Sequence, residues 1–198
     1  METFTLSEED YQFNLDQMRK AMAGAIEMHP LLPSLCYRSP YDFVLEHGRG
    51  YRPALWDSRF QEGARARCYA NAVGLAATHG LKYVEGFALE STGDITLHGW
   101  NVDDSGRLVD STWCNTGLAY LGVEFSLERA SDALWNGDAH ILNDSNRNFP
   151  LFQQRWRGED YSLEWPRSEL LDMLYRLREK DNRGSVAAWV KEQRRKLK

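Results

Sequence analysis

Polar and apolar positions follow two different periods along the chain, and the change from one to the other divides it. Residues 8–28 are rich in strong helix formers, and Ser7 with Asp10 three residues later has the form of a capping box, so a first helix is expected from about Glu8 to Met28. Between 29 and 60, His29-Pro30, Pro33, Ser39-Pro40, Gly48, Gly50 and Pro53 punctuate too often for long elements. An irregular connector with one short helix is expected there. The helical period returns in CYANAVGLAAT, which places Cys68, Ala72, Leu75 and Ala76 on one face, with Gly80 as a C-cap.

After Gly80 the period drops to two. Leu81 to Glu90, Ile95 to Asp103 and Arg107 to Trp113 read as strands, separated by the turn residues Ser91-Thr92-Gly93-Asp94 and Asp103-Asp104-Ser105-Gly106. A fourth strand is expected around Leu118 to Phe125, and the whole is expected to form an antiparallel meander. Ser126 then caps a short helix through Leu134, which Asn136-Gly137 ends, and the chain reads as loop to about Asp160. Pro166 and Ser168 open another helix through Lys180, and Ser185 a last one to the C-terminus. The expected class is α+β: a Cys-bearing helix packed on an antiparallel sheet, with helical N- and C-terminal additions. One domain is expected over 1–198, with an N-terminal extension to 60, a core over 61–125 and a C-terminal extension over 126–198.

Composition narrows the function classes. With 42% hydrophobic and 27% charged residues, the 198-residue chain has the make-up of an ordinary folded domain. Its net charge of −5 provides no concentrated positive field for nucleic acid, and the one basic cluster, Arg194-Arg195-Lys196 with Lys198, complements the negative end of a final helix. Cys36, Cys68 and Cys114 are odd in number and irregular in spacing, unlike a disulfide framework or a zinc signature. Without a basic segment and apolar run at its start, or an apolar stretch of membrane-spanning length, the chain is expected in the cytoplasm, away from membranes. No cofactor or metal is expected, and the pattern leaves the oligomeric state open.

The chemistry is concentrated between Cys68 and Trp113. A thiolate is favoured at a helix N-terminus, where unpaired backbone N–H groups point at it, and Cys68 opens its helix. Val84, Gly86 and Ala88 form a strand face of small volume, on which the first turn of the Cys68 helix is expected to pack. His98 and Trp100, two apart, share a strand face. If Asp104-Ser105-Gly106 is a three-residue loop with glycine left-handed, Asp103 faces Arg107, Trp100 faces Asp110 and His98 faces Thr112. Asp110 is then a diagonal neighbour of His98, within reach of the imidazole. Trp100 lies beside the pair, positioned to exclude water and contact substrate. The backbone N–H of Cys68 or Tyr69, and the side chain of Gln61, are the candidate oxyanion donors.

These residues, in the form C-YANA, YVEGFA, HGWNV and DSTW, resemble the transglutaminase-like core of the papain-like cysteine enzymes, whose pattern is Cys on a helix, a glycine-containing strand, His-Ala-Trp and then Asp-Pro-Thr. The resemblance covers about a quarter of the chain, with Gly99 in place of alanine and Ser111 in place of proline. It implies that Cys68 is the nucleophile, His98 the base and Asp110 the residue orienting the histidine. It further implies a hydrolase or acyl transferase acting on the amide of a protein or peptide through a thioacyl intermediate, as a protease, deamidase or cross-linking enzyme. Two readings stand beside it. Arylamine acetyltransferases use the same residue order, but ARARCYANA lacks their Arg-Gly-Gly run; a non-catalytic adaptor that keeps the fold would use the seven tryptophans to grip a partner.

Overall fold

The structure, a computed structural model, describes residues 6–135, 140–144 and 149–158. The two helices expected after Pro166 and Ser185, and the Asn136-Gly137 helix stop, lie outside the described residues. Within them the chain combines four α-helices with a five-stranded antiparallel sheet. None of these helices is long and apolar enough to cross a membrane.

α1 (Glu8–Ile26) starts as the capping box requires, with Ser7 Oγ accepting from the Asp10 N–H at 3.0 Å. It ends two residues before Met28, where tighter turn bonds from Met28 to Ala25 and from His29 to Ile26 replace the helical pattern ahead of Pro30. In the connector, α2 (Pro40–His47) carries Ser39 as N-cap and proline in its first turn. β1 (Arg49–Tyr51) follows, a three-residue strand too short for its alternation to show in the sequence. α3 (Cys68–His79) closes on Gly80, whose φ of 69° is the left-handed conformation that a β-carbon disfavours.

β2 (Lys82–Glu90) and β3 (Ile95–Val102) pair along their whole length, Lys82 with Val102 through Leu89 with Ile95. β4 (Leu108–Val109) is much shorter than the expected Arg107–Trp113 strand. The hairpin register is nevertheless the expected one: Asp103 N–H donates to Arg107 O, Gly106 has φ 83°, and Val102 pairs with Leu108 and Asn101 with Val109. At Asp110 the chain leaves the sheet, because the Asp110 carboxylate accepts the N–H groups of Thr112 and Trp113 and bends the backbone into a turn. The expected pairing of His98 with Thr112 is therefore not made.

β5 (Gly117–Phe125) does not extend the meander. It pairs with β2 and β1, giving the order β1-β5-β2-β3-β4. A strand turned away from β4 at Asp110 crosses instead to the free edge of β2. α4 (Leu127–Trp135) follows, with Ser126 Oγ accepting from the Arg129 N–H.

The helices share one face of the sheet. Leu15, Met18 and Met22 of α1, Phe43 and Val44 of α2, Ala72, Val73 and Ala76 of α3, and Ala130 and Ala133 of α4 join Tyr83, Phe87, Leu121 and Phe125 in the larger core. Tyr51, Val84, Ala88, Trp100, Val102, Leu108 and Tyr120 form a smaller core on the opposite face. The small-volume face of β2 thus does not seat the Cys68 helix. It makes room for the Trp100 indole, whose Cη2 would lie 2.5 Å from a β-carbon at Gly122, next to Gly86 in the ladder.

Candidate active site

Two faces of the sheet meet at Cys68. α3 lies on the face of Tyr83 and Gly99, whereas His98 points to the other side with Trp100. Beyond Val109, β4 no longer covers the edge of β3. Cys68, the first residue of α3, lies close enough to His98 to help raise the pKa of the imidazole.

The approach depends on local backbone geometry. Ala66 is left-handed at φ 58°, and Arg67 turns the chain into α3 without a side-chain cap. Asn71, three residues into the helix and on the same face as Cys68, holds this turn. Its amide bonds both the carbonyl and the N–H of Ala64, at 2.8 and 3.2 Å, and donates to Thr112 Oγ1 at 2.8 Å. The loop before the cysteine is thereby tied to the turn after Asp110, and Gly63 N–H to Ser111 O, at 2.7 Å, ties it again.

His98 is 1% exposed and Asp110 2%. His98 Nε2 lies 2.8 Å from Asp110 Oδ2, which leaves Nδ1 for the thiol. Burial alone would lower the histidine pKa, but hydrogen bonds to Asp110 and Cys68 outweigh it and raise it to about 9. Asp110 is saturated with donors. Oδ2 also accepts from the Tyr120 hydroxyl at 2.9 Å, and Oδ1 from the N–H groups of Thr112 and Trp113 at 2.9 and 3.1 Å. Burial pushes the carboxyl up, yet His98 and the backbone donors hold it below the ordinary aspartate range.

Aromatic rings wall the pair. Trp113 stacks on the His98 ring at 4.0 Å between centroids and 23° between planes. Trp100 lies near-parallel to it at 6.3 Å and meets Tyr120 edge-on at 5.2 Å. At 1% exposure Trp100 presents almost no surface, and its ring lies in the buried layer beside the His98–Asp110 pair. Gln61 is exposed, and no hydrogen bond among the described residues joins its side chain to Cys68, His98 or Asp110. The structure therefore brings His98, Asp110 and Trp100 together near Cys68, with Gln61 exposed.

Beneath the first turn of α3, Glu85 is fully buried opposite Gly99. Its carboxylate accepts the N–H groups of Ile141 and Leu142 at 2.9 and 2.7 Å and the Tyr83 hydroxyl at 2.9 Å. Burial raises its pKa to about 7, against the lowering effect of these donors. The segment it anchors sets His140 edge-on against Tyr69, the residue after Cys68, at 4.9 Å.

Trp113, Tyr120, Asn71 and Glu85 were not legible as members of the site. Asn71 had a signal, its helical spacing from Cys68, and Trp113 another, its place in DSTW. Tyr120 and Glu85 had none, since each reads as an ordinary position of an alternating strand. Among the described residues no group of three His, Cys, Asp or Glu side chains is placed to hold a metal ion. Compared with known proteins, the chain matches no family model, no curated protein and no solved structure.

Proposed function

We propose that this chain is a cysteine-dependent hydrolase or acyl transferase of the transglutaminase-like type, acting on amide bonds of a protein or peptide with Cys68, His98 and Asp110. The observation that carries the reading is the buried His98–Asp110 pair, with one imidazole nitrogen on a donor-saturated carboxylate, beside the partly exposed thiol of Cys68. The papain-like arrangement is supported by a cysteine on the first turn of a helix lying on an antiparallel sheet, followed in chain order by a strand histidine and a turn aspartate.

The chemistry follows from the protonation states. A neutral His98 ring, whose conjugate acid has its pKa raised to about 9, takes the thiol proton at Nδ1 and gives a thiolate beside an imidazolium. The thiolate attacks the amide carbonyl carbon and forms a C–S bond. As the tetrahedral oxyanion collapses, the C–N bond breaks and His98 returns its proton to the departing amine. Water or a second amine, deprotonated by His98, then attacks the thioester, and the C–S bond breaks to restore the thiol. The N–H groups at the start of α3 are the oxyanion donors this geometry offers.

The test is the rate of Cys68 alkylation by iodoacetamide between pH 5 and 10, in the wild type and in His98→Ala. Labelling that persists at pH 6 in the wild type and is lost in the variant supports catalysis. A rate identical in the two proteins overturns it and favours the non-catalytic adaptor.

A further inference from the structure

One hydroxyl enters the candidate site from a strand that carries none of its three principal residues. Tyr120 of β5 donates to Asp110 Oδ2, the same oxygen that His98 Nε2 occupies, at 2.9 and 2.8 Å respectively. The phenol has no freedom to leave. A β-carbon at Gly117 would collide with its hydroxyl oxygen, so the ring end is seated on the bare Cα of that glycine, and its face meets Trp100 and Trp113. Tyr120 is 1% exposed, and burial followed by the Asp110 charge raises its pKa well above that of a free phenol, so it remains a donor throughout the working range.

We infer that Tyr120 is a positioning residue which, by sharing Asp110 Oδ2 with His98, fixes the carboxylate's orientation and limits how strongly it holds the imidazolium. This rests on the reading of Cys68, His98 and Asp110 as a reacting set. A carboxylate oxygen that accepts a second hydrogen bond has part of its charge already stabilised, and so interacts less strongly with the first donor. Without the hydroxyl, Asp110 Oδ2 would accept from His98 alone. The imidazolium would become harder to deprotonate, and the return of its proton to a leaving amine would slow. The other ionisable groups facing the cluster are Cys68 toward His98, Cys114 toward Asp110 and Tyr120, and Glu90 toward Tyr120.

The test is the titration of the His98 ring followed by 15N NMR in the full-length protein, with two replacements of opposite effect. Tyr120→Phe removes only the hydroxyl and is expected to move the His98 midpoint upward by about half a pH unit. Site-specific 3-fluorotyrosine at 120 is a stronger donor of nearly the same shape, and is expected to move it downward. A ring that merely fills space would produce no such pair of opposite shifts. Unchanged midpoints in both proteins, or shifts of the same sign, overturn the inference; if Tyr120→Phe does not fold, the sign of the fluorotyrosine shift decides alone. These readouts do not involve thiol reactivity, so a failure of the proposed cysteine chemistry and a failure of the Tyr120 assignment appear in different measurements.

Discussion

The first turn of α3 lies so close to β3 that a β-carbon at Gly99 would stand 2.9 Å from Tyr69 Cδ1 and 3.2 Å from Tyr69 Cα. This contact sets how closely the first turn of α3 approaches β3. A larger residue at 99 pushes against the backbone of the residue next to Cys68, and that turn is tied down by Asn71 on its other side.

Gly99→Ala is therefore expected to cost about 1–3 kcal/mol of stability, as overpacking does, and to separate Cys68 from His98. Denaturant unfolding measures the first effect. The second is a slower alkylation of Cys68 at pH 6, with the rate at pH 10 nearly unchanged. Wild-type labelling at both pH values in a folded variant would show that the helix approach does not control the thiol.

The His98–Asp110 pair makes stability depend on pH with a definite sign. His98 titrates near 9 in the folded chain against 6.5 in the unfolded one, so its contribution is complete below 6.5 and is lost as pH rises through 9. Asp110, lowered from 3.8, contributes above that value and loses its contribution as pH falls through the folded pKa. The stability difference between wild type and His98→Ala is expected to be largest between about pH 4 and 6.5 and to shrink by on the order of 2–3 kcal/mol by pH 9.5. Chemical denaturation across that range checks it. A pH-independent difference would mean that His98 contributes packing alone.

Glu85 predicts a second slope in a lower window. Its folded pKa of about 7 lies above the ordinary 4.5, so the folded state binds the proton more tightly. The stability gained from it is complete below 4.5 and is lost as pH rises through 7. Glu85→Gln abolishes this slope, and it also turns one amide N–H₂ toward the N–H of Ile141 or Leu142, leaving a donor unpaired at a cost of about 1–3 kcal/mol. The variant is expected to be less stable than wild type by the largest margin near pH 4.5, with the gap narrowing up to pH 7. Equal slopes in the two proteins would assign the titration to another group.

The β3–β4 hairpin shows how much of the site was legible. Its register follows from a local rule: the Asp103 to Gly106 turn admits one loop geometry with glycine left-handed, and a period of two then places Asp110 diagonally from His98. The helix cap at Ser7 and the stop of α3 at Gly80 are equally local, each being settled by residues within four positions. The face on which α3 packs was not legible in this way. Val84, Gly86 and Ala88 look like a seat for a helix, but the same small volume accommodates Trp100, and the choice between them depends on Gly99 and Tyr69 meeting across the fold.

Sequence alone thus determined how Asp110 is registered against His98, because turn chemistry and side-chain periodicity act over a few residues. Tertiary structure alone decided that β5 crosses to β2, that Tyr120 and Trp113 close round the His98–Asp110 pair, and that Glu85 is buried opposite Gly99. Each of these is a choice among strand pairings and packings that are locally equivalent. They differ only in how well distant side chains fill the remaining volume and satisfy buried donors, and those quantities exist only once the chain has folded.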